Sequence, residues 1–277
     1  MGVRCGRGAA ASAMVLALGA SACSALVAEP PSVLDGATLT VGVKYDQPGL
    51  GLEGPDGELT GFDVDVAHYL AERMGFPPER VELTGVTSAE REKVLVGGEV
   101  DMVVATYSIT QARKTEVTFG GPYYVAQQDL MVAADDTGIQ GVHDLEGRRL
   151  CQARGSYSPT RVTEGLGIGA ELVEAPSYSA CVDALREGEV DAVSTDDLIL
   201  AGFLAREPEA FRLVNSPFTQ EKYGVGLPHG DVRACEAVNK AITEMYQDGT
   251  AEGLLETWFG DSDLEVLTSV PQFEGCV

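Results

Sequence analysis

Two short stretches of this chain end in residues able to hold a charged small molecule. In "ATYSITQAR" (105–113), the hydroxyls of Thr106 and Ser108 precede Arg113. In "STDD" (194–197), Thr195 precedes Asp196 and Asp197. A guanidinium is a planar fork that can donate two parallel hydrogen bonds to a carboxylate. A carboxylate on the opposite side suits an ammonium group. An arginine with hydroxyls facing an aspartate therefore suits a zwitterion bearing an α-carboxylate and an α-ammonium. The three histidines are isolated and no close CxxC pair occurs, so neither a metal site nor a cofactor is expected.

Both stretches belong to an internal repeat. "LVGGEVDMVVAT" (95–106) and "LREGEVDAVSTD" (185–196) coincide at Leu, at Gly-Glu-Val-Asp and at a later Val. Each copy reads as a helix end, a glycine turn and a buried strand. The first helix opens with Thr87 and Glu90 three residues apart, the spacing of a capping box. Elsewhere "ATLTVGVKY", "RRLCQARG", "AFRLVN" and "YGVGLP" read as strands. "GELTGFDVDVAHYLAERMG", "VRACEAVNKAITEMYQDG" and "TAEGLLETWFG" carry helical periodicity. Alternating strands and helices imply parallel α/β sheets. Ligands of such sheets sit beyond the carboxyl ends of the strands, where both copies of the repeat place their polar residues.

The 277 residues carry a formal net charge of −24. That balance, with no basic run, argues against nucleic acid, whose phosphates need clustered Lys and Arg. Residues 1–22 read as a secretory signal. Arg4 and Arg7 are followed by the apolar "AAASAMVLALGA" and by small residues before Cys23. Removing them takes two arginines and no acids, so the net charge falls to −26. Residues 23–35 read as a linker. Cys151, Cys181, Cys235 and Cys276 remain, an even number in an exported chain, which favours two disulfides in one of three pairings.

"GELTGFDVDVAHYLAERMG", "GEVDMVVATYSITQAR", "FGGPYY" and "LREGEVDAVSTDD" occur in an order that resembles the bacterial extracellular solute-binding proteins of family 3. "VGVKYDQPGLG", with "ATYSI" and "TDD", resembles their actinobacterial glutamate/aspartate-type lipoproteins. The resemblance implies an α/β, periplasmic-binding-protein-like clamp of two lobes joined by two hinge strands. Residues 36–125 plus 222–277 would form lobe 1 and 128–219 lobe 2, with crossovers in "GGPYYVAQQDL" and "PFTQEKYGVG". It implies that Arg113, Ser108 and Thr106 bind the α-carboxylate, aided by backbone N–H groups at Ser156 and Tyr157, and that Asp196 binds the α-ammonium. Tyr157 stands where the family usually has a small hydroxyl residue, which narrows the pocket.

Lys44 stands where relatives that take basic ligands resemble one another in an Asp, so the inverted charge points to glutamate or aspartate. Gln47 takes the place of an aromatic lid, and Arg154 and Arg161 are further cations for a side-chain carboxylate. The "ASAC" ending at Cys23 resembles a lipobox, which implies a lipid on Cys23. An exported, surface-tethered monomer serving an ABC permease is the implied protein, not an enzyme. With Cys151 and Cys181 both in lobe 2, these two are expected to pair, as are Cys235 and Cys276. The same pocket would also serve a surface sensor, or a small-carboxylate dehydratase using Glu53 or Glu221. Each site residue has a plainer role to set beside these: Arg113 as a surface helix residue, Asp196 as a helix cap, Lys44 as a solvated strand end.

Overall fold

The computed structural model describes residues 1–2, 30–262, 264 and 269–276. Cys23 and the signal segment lie outside the described residues. Among the described residues no helix is long and apolar enough to cross a membrane.

The first strands are β1 (Leu39–Val43), β2 (Asp46–Gln47), β3 (Gly51–Glu53), β4 (Leu59–Thr60), β5 (Val81–Gly85) and β6 (Met102–Val104). After them come β7 (Thr118–Ala133), β8 (Arg149–Ala153), β9 (Glu171–Ala175), β10 (Ala192–Asp196), β11 (Phe211–Leu213) and β12 (Thr219–Leu227). The main sheet runs β5-β1-β6-β12-β7-β10-β8-β9, with β11 also on β7; β2-β3-β4 form a small separate sheet. Two parallel trios occupy the ends, β5-β1-β6 and β10-β8-β9. The antiparallel strands β7 and β12 join them. β7 starts beside Leu227 of β12 and ends beside β10 and β11, so it runs from one trio to the other. This is a mixed α/β sheet arranged as a two-lobe clamp.

The sequence repeat has a physical purpose. Asp101 receives the Thr40 N–H at 2.8 Å and donates its own N–H to the Thr40 carbonyl at 2.8 Å. Asp191 does the same with Arg149, again at 2.8 Å each way. Each aspartate thus fixes the register of its strand against the neighbouring parallel strand. Val100 and Val190, beside them, are buried.

The helices are α1 (Phe62–Arg73), α2 (Arg91–Val96), α3 (Gln111–Lys114), α4 (Ser158–Thr160), α5 (Tyr178–Arg186), α6 (Asp197–Arg206), α7 (Val232–Gln247) and α8 (Thr250–Phe259). On α1 Phe62, Val66 and Leu70 are buried, four residues apart, the spacing of one helix face. The cap expected before α2 is half formed. The Glu90 carboxylate accepts from the Thr87 N–H at 2.9 Å, but the Thr87 hydroxyl donates to that same carboxylate and caps no N–H. Trp258 is half-buried, and its indole N–H donates to Asp65 at 2.7 Å. Cys151 bonds to Cys181, joining β8 to α5, and Cys235 bonds to Cys276, joining α7 to the C-terminal segment.

Candidate functional site

The ends of β6 and β10 open onto one cavity, lined in part by Thr106, Ser108, Arg113, Ser156, Tyr157 and Asp196. Residues that are distant in sequence converge there because the two trios present their carboxyl ends to each other across β7 and β12.

Arg113 projects from the single turn of α3, whose N-cap Thr110 accepts the Arg113 N–H at 3.2 Å. Its guanidinium donates to the Ser108 carbonyl at 2.7 Å and to the Gly155 carbonyl at 3.0 Å, and its Nε lies 3.0 Å from Glu92. An arginine has five N–H donors. Three are engaged among the described residues, which leaves one on each terminal nitrogen for an anion.

Thr106 has φ +44°, a left-handed conformation that is an outlier for a β-branched residue. The buried Asp63 holds it there by accepting its N–H at 2.8 Å. The other oxygen of Asp63 accepts from the Tyr123 hydroxyl at 2.7 Å. Burial pushes the Asp63 carboxyl up to about 6, against the opposing pull of these two donors. The Thr106 hydroxyl donates to Gln47 at 3.0 Å.

Asp196 occupies the N-cap position of α6 but makes no capping bond. Its Oδ1 is buried and has no hydrogen-bond partner among the described residues. Burial, and then the nearby Glu221 carboxylate, push its carboxyl up to about 8, against the opposing pull of the Tyr223 hydroxyl nearby. Thr195, beside it, also buries a hydroxyl oxygen without a partner. Ser156 shares a hydrogen bond with Tyr178 and accepts the Ser158 N–H at 3.2 Å. Tyr157 lies under Arg161, with the guanidinium 4.8 Å from the ring centre.

The cations singled out for a ligand side chain sit differently from one another. Lys44 is buried, not a solvated strand end. It donates to the Ser88 hydroxyl at 3.2 Å and lies 3.4 Å from Asp46. Burial lowers it to about 8. Ser88 lines the cavity, so Lys44 stands one side chain behind the wall. Gln47 is buried, with its amide nitrogen unpartnered among the described residues. Arg161 is engaged by Glu221 through two contacts, 2.8 and 3.3 Å. Arg154 points outward, 60% exposed and paired with Glu174 at 3.1 Å, because its place at the end of β8 faces solvent rather than the cleft.

Arg91 lines the cavity and was not singled out from the sequence. It is 2% exposed. It donates to the carbonyls of Ala105 (2.9 Å), Thr106 (3.1 Å), Ser88 (3.2 Å) and Gly155 (3.3 Å), leaving one N–H unused. Burial, and then the charge of Arg113, lower it to about 10. Both guanidiniums lie against the Tyr107 ring, at 4.5 and 5.0 Å. Arg91 is the first residue of α2, where a cation opposes the helix dipole.

Residues 39–261 match the family described as bacterial extracellular solute-binding proteins, family 3. The chain is 41% identical over 250 residues to the glutamate-binding protein GluB of Corynebacterium efficiens, covering 87% of this chain and 85% of that one. It is 32% identical over 236 residues to the ABC transporter glutamine-binding protein GlnH of Bacillus subtilis, covering 84% and 85%. Among solved structures it resembles an ancestral arginine-binding protein bound to arginine, with a TM-score of 0.74 and 31% identity, over 81% of this chain and 99% of that one.

Proposed function

The chain belongs to the family 3 bacterial extracellular solute-binding proteins, and from that membership we propose that it captures glutamate between its two lobes and delivers it to an ABC permease. One observation carries the reading. Arg113 keeps an N–H on each terminal nitrogen and Asp196 a carboxylate oxygen without a partner among the described residues, and both line one cavity. An α-amino acid satisfies both at once. The hydroxyls of Thr106 and Ser108 and the turn at Ser156 and Tyr157 complete the carboxylate end.

The acidic side chain goes to Arg91 and Ser88, with Lys44 supplying positive charge from behind Ser88 and Gln47 holding the Thr106 hydroxyl. A hydrogen bond between charged groups contributes about 1.5–3 kcal/mol, enough for roughly tenfold to a hundredfold preference over the amide. The name of the 41%-identical relative, a glutamate-binding protein, supports the same ligand. The protein works as a carrier in this reading, which the names of its relatives as binding proteins support; Glu221, one of the two carboxylates considered for a dehydratase, is paired with Arg161. Lobe 1 comprises residues 36–125 plus 222–277 and lobe 2 residues 128–219, and Cys23 carries the lipid that tethers a monomer at the cell surface.

The test is a thermal-shift screen of the twenty amino acids followed by calorimetry, because a ligand that binds only the folded state raises its melting temperature. Glutamate should give the largest shift, aspartate less, glutamine less again. A larger shift with glutamine or arginine would overturn the assignment of the side-chain subsite. No shift with any amino acid would overturn the α-amino-acid reading as a whole.

A further inference from the structure

Gly202 lies inside α6, where glycine is unfavourable relative to alanine. Its neighbour explains why it is there. A Cβ at Gly202 would stand 1.9 Å from the carbonyl oxygen of Pro48 and 2.9 Å from its carbonyl carbon. α6 follows β10 in one half of the main sheet, and Pro48 follows β2 of the small sheet, which comes directly after β1 of the other half. Pro48 cannot swing aside cheaply, because its turn is tied by Leu50 N–H to Gln47 at 3.2 Å and by Phe62 N–H to Gly49 at 2.9 Å.

A second glycine repeats the arrangement. Gly155, at φ +77°, would place a Cβ 2.5 Å from the backbone of Ala89, and its carbonyl receives both Arg113 and Arg91. Near the first contact, the Ser179 hydroxyl donates to the Asp46 carbonyl at 2.7 Å. The two halves therefore meet backbone to backbone at two places.

We infer that Gly202 is a positioning residue for ligand capture: its missing side chain lets the lobes approach until Arg113 and Asp196 reach the same molecule. This rests on the clamp reading above, but not on the identity of the ligand. A methyl group at this position suits the helix, and the three atoms nearest to it, at 1.9, 2.9 and 3.6 Å, all belong to Pro48 of the other lobe. Stability and affinity should therefore move apart, which a residue that merely packs its own lobe would not produce.

The experiment compares the wild type with Gly202→Ala. Each is also prepared with nitroxide labels on E82C and E171C, exposed positions on β5 and β9 in opposite halves. Gly202→Ala should keep or raise the ligand-free melting temperature and lose at least tenfold in glutamate affinity. The short label-to-label distance that the wild type gains with ligand should be missing. Affinity within threefold of wild type together with an intact short-distance population would overturn the inference. So would a fall in melting temperature alongside affinity, which would make Gly202 a packing residue of its own lobe. If the wild type bound glutamine or another amino acid in place of glutamate, the ligand assignment would fail, and the same variant would be judged with that ligand. If it bound none, the clamp reading would fail, and the role of Gly202 in capture would fall with it.

Discussion

Replacing Asp196 with Asn should stabilise the ligand-free protein at neutral and alkaline pH while removing ligand binding. The Asp196 carboxyl, ordinarily near 3.8, is pushed up to about 8 by burial and then by Glu221. The folded protein thus holds this proton more tightly than the unfolded chain does. The cost of ionisation is absent below the unfolded value, grows as pH rises between the two values, and is complete above about 8. A displacement of that size corresponds to roughly 5–6 kcal/mol at full ionisation. Opening of the clamp limits what is felt, because an open cleft rehydrates the carboxylate. Rehydration leaves about 1–3 kcal/mol of that ionisation cost, and that is the gain expected for Asn, which has no charge to desolvate. In a chain of this size it corresponds to about 2–4 °C in Tm per kcal/mol. Calorimetric melting of both proteins at pH 4, 7 and 9 should show curves that nearly coincide at pH 4 and separate as pH rises. Isothermal titration with glutamate should show at least a hundredfold loss in the variant, since a neutral amide cannot pair with the α-ammonium. A Tm difference independent of pH, or glutamate affinity within threefold of wild type, would refute the reasoning.

Arg113→Ala should abolish glutamate binding, by about 3 kcal/mol or more than a hundredfold, with a cooperative melt retained; near wild-type affinity would mean that the α-carboxylate sits elsewhere. Arg91→Lys keeps a charge but loses the planar fork, and should lower the glutamate-to-glutamine affinity ratio about tenfold; an unchanged ratio by competition titration would remove Arg91 from the side-chain subsite. Lys44→Ala should weaken glutamate several-fold and glutamine little, whereas equal losses would leave Lys44 a packing residue. Opening the Cys151–Cys181 link by Cys151→Ser with Cys181→Ser should cost about 3–4 kcal/mol in urea unfolding, from the 30-residue loop that it closes; an unshifted midpoint would show the link to be energetically idle.

The features legible in the sequence were local or repeated ones. The two Gly-Glu-Val-Asp copies are visible because the same constraint, an aspartate fixing a parallel strand, is met twice by the same residues. The polar residues after each copy are visible because strand carboxyl ends face the cleft. What stayed hidden depends on contacts far apart in the chain. Asp63 looks like an ordinary acidic residue in the first turn of α1, yet it supports a strained turn 43 positions away. Arg161 looks free, but its partner Glu221 is 60 residues on. Arg154 shares its residue type with the cavity arginines, and only the direction in which the end of β8 faces separates them. Arg91, in "SAEREKV", looks like part of a solvated, charged helix start, and nothing nearby in sequence shows that Ala105, Thr106 and Gly155 will surround it.

The charges around the cavity also bear on the choice between glutamate and glutamine. Lys44 is paired with Asp46, Arg161 with Glu221, and Arg113 with Glu92. Arg91 is different. It is buried, is bonded to four carbonyl oxygens, and forms no ion pair with a carboxylate among the described residues. Burial and the neighbouring Arg113 both act against its charge. Buried charges in folded proteins are ordinarily paired. Carbonyl dipoles offset part of the cost, and a second carboxylate entering the cavity would supply the counter-charge. Glutamate carries that carboxylate and its amide does not. If this is the basis of selection, the advantage of glutamate over glutamine should shrink about threefold by pH 4 and about twentyfold by pH 3, as the side-chain carboxyl of the free ligand takes up a proton while glutamine stays unchanged. A glutamate-to-glutamine ratio that stayed constant from pH 7 down to pH 4 would show that shape, and not the unpaired charge of Arg91, makes the choice.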